Sequence, residues 1–334
     1  MAKQIDRCYP SHGSSKGTVE KTPYSPSLRP LDNNILSKTS HILRVLWLFT
    51  CDDVFTFICP TVLFGLCDAL TNTLHQGQHN WDKPLELVLR LPGVVFFVWS
   101  NCLVFELANQ RLPESIIEDM INKPWRPAAS GLVTPLQIRR AMLVIVPIVR
   151  VSNYFLNVAA ETSVLMVLDW LYNDLMGSDE SWVVRNALIA LAFGAWNHGS
   201  LRLASGRSSD GLTPAEIVWT LTVSGVVLTT MHVQDLRDQE GDRRRGRKSG
   251  PIALGDRLSR WTIAVGVIFW SLFCICFWGV KIWELAGFVF LILGAVVAFY
   301  CLALGSSSDW VTYQLWAAWL TAIYVLPCIH YRDK

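Results

Sequence analysis

The sequence returns repeatedly to apolar runs of about twenty residues, each long enough at 1.5 Å per residue to cross the ~30 Å hydrocarbon core of a bilayer. They lie at 42–66, 86–108, 136–157, 160–177, 183–204, 214–233, 261–280, 283–304 and 310–331. A backbone in lipid must satisfy its own hydrogen bonds. The expectation is therefore an all-α, polytopic membrane protein with nine transmembrane helices. Several runs contain Pro, Gly or polar residues, which is tolerated where neighbouring helices or a water-filled cavity satisfy the backbone.

Composition agrees. Of 334 residues 17% are charged and 51% apolar, whereas soluble domains carry about a quarter charged. With 29 Lys and Arg against 27 Asp and Glu, the formal net charge is +2, so a nucleic-acid binder, a disordered chain and a secreted disulfide scaffold are excluded. The nine cysteines are an odd number without CxxC spacing and fall mostly inside apolar runs. They read as small apolar residues.

Residues 1–40 are rich in Ser, Pro, Lys and Gly and lack an apolar signal core. They are expected to form a disordered cytosolic tail, leaving 41–334 as one transmembrane helical domain. The tail is basic, and so are the connections holding Arg111, Lys123, Arg126, Arg139 and Arg140 and Arg237 to Arg260. With nine spans all three lie on one side, which the positive-inside rule makes cytosolic.

That side also carries the candidate chemistry. In DLRDQEGDRRRGRK, Asp235, Asp238 and Asp242 recur at i, i+3 and i+7, within about a 60° arc of a helix. Beside them stand Arg247 and Lys248. Carboxylates facing basic residues at a membrane mouth suit a polyanion held through Mg2+, which takes few protein carboxylates and completes its shell with phosphate oxygens and water. The rival reading is a juxtamembrane loop that binds anionic lipid. A second stripe follows the second run: Glu114, Glu118 and Asn122 at i, i+4 and i+8, with Asp119 adjacent and Lys123 and Arg126 beyond. Pro113 should kink the helix there.

Together these segments resemble the UbiA superfamily of intramembrane prenyltransferases. Asp235-x-x-Asp238-x-x-x-Asp242 with Glu240-Gly241 and Gly246-Arg247 is similar to the family's second motif, and Arg126-Pro127 with Gly131 and Thr134 to the end of its first. The resemblance implies a nine-helix bundle with a central cavity open to the cytosol, and an isoprenoid diphosphate as substrate. Mg2+ would be held by Glu114, Glu118, Asp119, Asn122, Asp235, Asp238 and Asp242. Lys123, Arg126, Arg247 and Lys248 would take the diphosphate, and Asn109 and Asp174 would act in catalysis. The first motif departs from the pattern, because Gln110, Pro113 and Ile117 stand where the family usually has carboxylates. With WLFTCDD at 47–53 and WLYND at 170–174, the NKPWRP segment resembles a fungal branch of membrane-bound terpene cyclases, of the type found in the fumagillin pathway.

The resemblance thus implies ionisation of the diphosphate, with farnesyl diphosphate favoured, and cyclisation to a sesquiterpene in secondary metabolism. The alternatives are prenyl transfer to an aromatic or quinone-precursor acceptor, and a non-catalytic transporter or lipid-binding scaffold. The expected partners are the substrate and the bilayer, with no nucleic acid and no obligate protein. The expected location is the endoplasmic reticulum if the cell is eukaryotic.

Four further features carry expectations. Asp52 and Asp53 lie about 15 Å into the first run, where an exposed carboxylate costs at least about 2.5 kcal/mol, so they should face the interior. Asn173 and Asp174 would order the mouth or mark a helix end. His198 reads as a satisfied polar residue and Arg202 as a snorkelling cation. Any Trp facing the cavity would offer its π-face to a carbocation.

Overall fold

The computed structural model describes residues 35–75, 82–206, 212–303 and 305–332, and among them every regular element is helical. Most of the expected tail, through residue 34, lies outside the described residues.

The first rod starts earlier than its apolar run. Helix α1 (Ile35–Thr50) passes through a 3-10 turn (Cys51–Asp53) and a π turn (Val54–Ile58) into α2 (Cys59–His75). Helix α3 (Asp82–Gln110) ends short of Pro113. Pro113 lacks the N–H to continue a helix, and it opens a new one at its first turn, α4 (Pro113–Asn122). The chain is therefore broken here where a kink was expected. Helix α5 (Pro135–Phe155) starts on a capping box, with Thr134 Oγ1 accepting from Gln137 N at 3.3 Å and Gln137 Oε1 accepting from Thr134 N at 2.8 Å. Then come α6 (Ala159–Tyr172), the single turn α7 (Gly177–Glu180) and α8 (Trp182–Ser205), which Ser181 caps through Val184 N at 3.2 Å. Helix α9 (Pro214–Thr230) runs through a 3-10 turn into α10 (Asp235–Arg245), so the second acidic stripe is helical. A short α11 (Gly250–Leu254) leads to α12 (Asp256–Trp278), α13 (Leu285–Ala303) and α14 (Asp309–Arg332).

Each expected apolar segment lies on a helix. Among the described residues six stretches are long and apolar enough to cross a membrane: Thr39–Thr71, Leu85–Gln110, Pro214–Arg245, Asp256–Trp278, Leu285–Ala303 and Gly305–Ile329. The other three fall short for identifiable reasons. Helix α6 has 14 residues, α5 carries Arg139, Arg140 and Arg150, and α8 carries Arg185, Asn197 and Arg202.

Helix α2 packs on α8 and α14, and α8 packs in turn on α3, α6 and α9. Lipid tails are as apolar as leucine, so close packing and interhelical hydrogen bonds must hold such a bundle. Two fully buried indoles supply both. Trp316 Nε1 donates to Thr230 Oγ1 at 3.0 Å, joining α14 to α9, and Trp319 Nε1 donates to Ser271 Oγ at 2.9 Å, joining α14 to α12. Cys51, Cys102, Cys274 and Cys301 are buried as expected of small apolar residues, whereas Cys59 and Cys276 are exposed among the outward-facing side chains.

Candidate active site

A cavity of about 1310 Å³, including its open end, lies between α3, α6 and α8 beneath α4 and α10. Its inner part is apolar and aromatic, with Phe105, Leu165, Leu168 and Phe193 in the wall. Phe57 stands edge-on to Phe193 and Trp196, ring centroids 4.9 and 4.6 Å away. Its other end is charged, lined by Glu118, Lys123, Arg237, Asp238 and Arg247. The two segments singled out in the sequence meet here, because α4 packs on α10.

Asn122 makes that contact. Its Nδ2 donates to Asp238 O at 3.1 Å and its Oδ1 accepts from Gly241 N at 3.2 Å. A Cβ on Gly241 would sit 2.3 Å from the Asn122 amide, so only glycine lets the helices approach this closely. Both ends of the Asn122 amide are thus spent on the α10 backbone.

The remaining expected residues divide sharply. Glu118 faces the cavity and takes Arg247 Nη1 at 2.9 Å and Arg245 Nη1 at 3.1 Å. Asp119, one position on, turns inward and meets Arg126 at 3.3 Å. Burial pushes the Asp119 carboxyl above its ordinary range, which Arg126 only partly offsets. Asp238 lines the cavity and pairs with Arg237 at 3.3 Å. Asp235 is buried in an ion pair with Arg185. Asp242 is buried, takes Arg247 at 3.3 Å through Oδ1 and leaves Oδ2 without a partner. Glu114 is half-buried and Lys248 exposed, both away from the cavity lining. Lys123 and Arg126 line it. Asn109 also lines it, donating to Asn173 Oδ1 at 3.0 Å, while Asp174 is outside the lining and paired with Arg111.

Three groups at the site were not singled out in the sequence: Asp179, Glu106 and Asp169. Asp179 bridges Arg245 and Arg247, each at 3.0 Å, from the single turn α7. Burial would raise its carboxyl, but the two guanidiniums outweigh that and hold it below the usual range. Glu106 pairs with Arg126 at 3.2 Å, and Asp169 lines the wall and accepts from Asn173 Nδ2 at 2.9 Å. Helical spacing would have found Glu106 and Asp169, which lie about one turn before Asn109 and Asn173 on the same faces. Asp52 and Asp53 do face the cavity. Asp52 accepts from Trp125 Nε1 at 3.1 Å and pairs with Arg126 at 3.5 Å, whereas Asp53 Oδ2 is buried with no partner. His198 and Arg202 are satisfied by Glu161, at 2.9 and 2.7 Å, and neither lines this cavity.

Residues 69–319 match the UbiA prenyltransferase family. The chain belongs to that family. Among its UbiA-type relatives is the fumagillin beta-trans-bergamotene synthase of Aspergillus fumigatus, 28% identical over 85% of this chain and 92% of that protein. A polyprenyl transferase of Hericium erinaceus is 31% identical over 69% of this chain and 75% of its own. The fold matches that of a UbiA homolog from Archaeoglobus fulgidus, solved bound to DMAPP and Mg2+, with a TM-score of 0.50 and 11% identity over 84% of this chain and 98% of that one.

Among the described residues no three His, Cys, Asp or Glu side chains converge into a ready-made metal cage. For Mg2+ this is no obstacle, since one or two carboxylates suffice when phosphate and water complete the octahedron. The cavity-facing Asp238 and the orphaned Asp53 Oδ2 are carboxyl oxygens, the hard donors that Mg2+ takes. The UbiA site of this chain therefore fits the ion.

Proposed function

We propose that this protein ionises an isoprenoid diphosphate and cyclises the resulting allylic cation, which then gives up a proton to the released diphosphate to leave a terpene, with farnesyl diphosphate as the favoured substrate. The observation that carries the reading is a single cavity whose charged end gives directly onto an aromatic interior. The diphosphate docks at the charged end. Lys123, Arg237 and Arg247 face it there and balance the charge that develops as the carbon–oxygen bond breaks. Asp238 and Asp53 would hold Mg2+, with Glu118 available if it releases its arginines. Bound there, the ion supplies Lewis-acid stabilisation of the leaving diphosphate. Asp235 and Asp242 act by fixing Arg185 and Arg247, and Asp119 by fixing Arg126. The isoprenoid tail lies among Phe57, Phe193 and Trp196, whose π-faces favour a cation and whose packing excludes water that would quench it.

Near full-length similarity to the bergamotene synthase supports cyclisation over transfer. The run of basic residues in the connections supports a cytosolic mouth, and with it a place in the endoplasmic reticulum if the cell is eukaryotic.

One observation favours transfer as a second reading. A side recess of about 570 Å³, its open end included, is lined by Trp125 and Trp310 and shares Asp52, Lys123, Arg237, Asp238 and Tyr313 with the main cavity, and it would seat an aromatic acceptor. Membranes carrying the protein, incubated with farnesyl diphosphate and Mg2+ and no acceptor, separate the two. A cyclic hydrocarbon among the volatiles supports the cyclase. Diphosphate release that appears only when an aromatic acid is added refutes it in favour of the transferase.

A further inference from the structure

We infer that Trp196 sets the length of isoprenoid chain this protein accepts, limiting it to three isoprene units. The inference rests on the cavity being an isoprenoid diphosphate site, and it names what ends that cavity.

Arg185, Leu188, Ile189, Ala192, Phe193 and Trp196 form one stripe along α8, at the three- and four-residue steps of a single helical face, and all six line the cavity. The stripe begins at the charged end, where Arg185 pairs with Asp235. The next positions on that face are Gly199 and Ser200, and neighbouring helices fill the space over both. Phe97 of α3 is packed so closely that a Cβ on Gly199 would lie 2.3 Å from its ring. Ser200 Oγ donates to Thr61 O of α2 at 2.8 Å. The groove along α8 is therefore shut immediately beyond Trp196, and the indole is its floor, with Phe57 edge-on beside it at 4.6 Å.

The state of that indole supports the assignment. Trp316 and Trp319 each spend their N–H on an interhelical hydrogen bond. Trp196 Nε1 is buried without a partner. Trp196 thus serves the cavity through its surface and ties no helices together through its polar atom.

From Arg185 to Trp196 is eleven positions, about 16 Å at 1.5 Å per residue. An isoprene unit adds four chain bonds of about 1.5 Å, or about 5 Å when extended. Three units need about 15 Å and fit above the floor, while four need about 20 Å and do not. Removing the indole opens a space on the order of 100 Å³, comparable to cavities that admit a benzene-sized guest and enough for one more five-carbon unit.

The test uses the purified full chain in detergent with Mg2+ and follows diphosphate release from geranyl, farnesyl and geranylgeranyl diphosphate, with monodisperse elution as the folding control. The wild type should prefer farnesyl over geranylgeranyl diphosphate by at least tenfold in kcat/KM. Trp196→Ala and Trp196→Leu should cut that ratio by tenfold or more. Phe57→Leu trims the facing ring and provides a second route should both Trp196 variants aggregate. A wild type that turns over farnesyl diphosphate while monodisperse variants leave the ratio within about twofold refutes the floor alone, as does a wild type that already prefers the twenty-carbon chain. No release by the wild type from any of the three would overturn the functional reading and the inference with it.

Discussion

Arg126 holds buried carboxylates of the site together, and replacing it with Gln should cost the fold measurable stability. The guanidinium lies 3.2 Å from Glu106, 3.3 Å from Asp119 and 3.5 Å from Asp52, and the three carboxylate side chains are only 4, 5 and 13% exposed. Four nearby carboxylates overcome the burial that would lower its pKa and raise it well above that of a free arginine. Glutamine keeps two polar atoms but no charge, so the carboxylates are left facing one another. Breaking a buried ion pair by removing one partner costs about 3–5 kcal/mol. At about 2 °C per kcal/mol, the low end for a chain of this size, Tm should fall by roughly 6–10 °C. The assay is thermal unfolding of detergent-purified protein, followed by the fluorescence of its tryptophans. The pH dependence supplies an internal check. The Asp119 carboxyl already titrates above its ordinary range, and without Arg126 it should rise further. A folded-state pKa above the unfolded one makes stability fall as pH rises. The deficit of Arg126→Gln should therefore shrink as pH is lowered from 8 toward 5. A Tm within about 2 °C of wild type at pH 8 would show that these carboxylates do not depend on Arg126.

Three further outcomes follow from the same geometry. Glu118→Gln should lower turnover at least tenfold, because it loosens Arg247 at the cavity, whereas Asp119→Asn should leave turnover within about threefold; the reverse order in steady-state kinetics would mean that α4 presents its other face to the substrate. Chelation with EDTA should abolish turnover and added Mg2+ restore it, and full activity in EDTA would remove the metal from the mechanism. Asp179→Asn should raise the KM for the diphosphate more than it lowers kcat, since Asp179 positions Arg247 without lining the cavity, and Asp179→Glu should recover part of the loss; an effect on kcat alone would contradict a positioning role.

The helices were legible in the sequence because lipid leaves a chain few options, and each apolar run became a helix. Their ends were less so. Hydropathy misses that α1 begins at Ile35 and that the chain breaks between Gln110 and Pro113, since both depend on polar backbone finding partners. The acidic stripe of α10 was legible for its spacing, yet spacing assigns a face and not a neighbour. Asp235, Asp238 and Asp242 share an arc, but only Asp238 lines the cavity, because Arg185 from α8 covers Asp235 and Arg247 covers Asp242. Asp179 was illegible altogether. It sits on a single turn between two apolar segments, and its role depends on a fold that brings it to Arg245 and Arg247, more than sixty residues away.

Arg126 ties the NKPWRP segment to the helices beside it. Besides Asp119, its guanidinium meets Asp52 and Glu106, which come from the irregular junction of α1 and α2 and from the last turn but one of α3. The 3-10 and π turns at Cys51–Ile58 give up regular helix hydrogen bonding at the depth where Asp52 and Asp53 must turn inward, and such irregular turns recur at functional sites. A carboxylate at this depth is costly unless paired, and Trp125 and Arg126 of the NKPWRP segment are the partners of Asp52. The first motif therefore sends its tryptophan and arginine inward to Asp52 while α4 leaves Glu118 toward the cavity. The anionic groups that meet Arg126 from outside that motif are thus supplied by the junction of α1 and α2 and by α3.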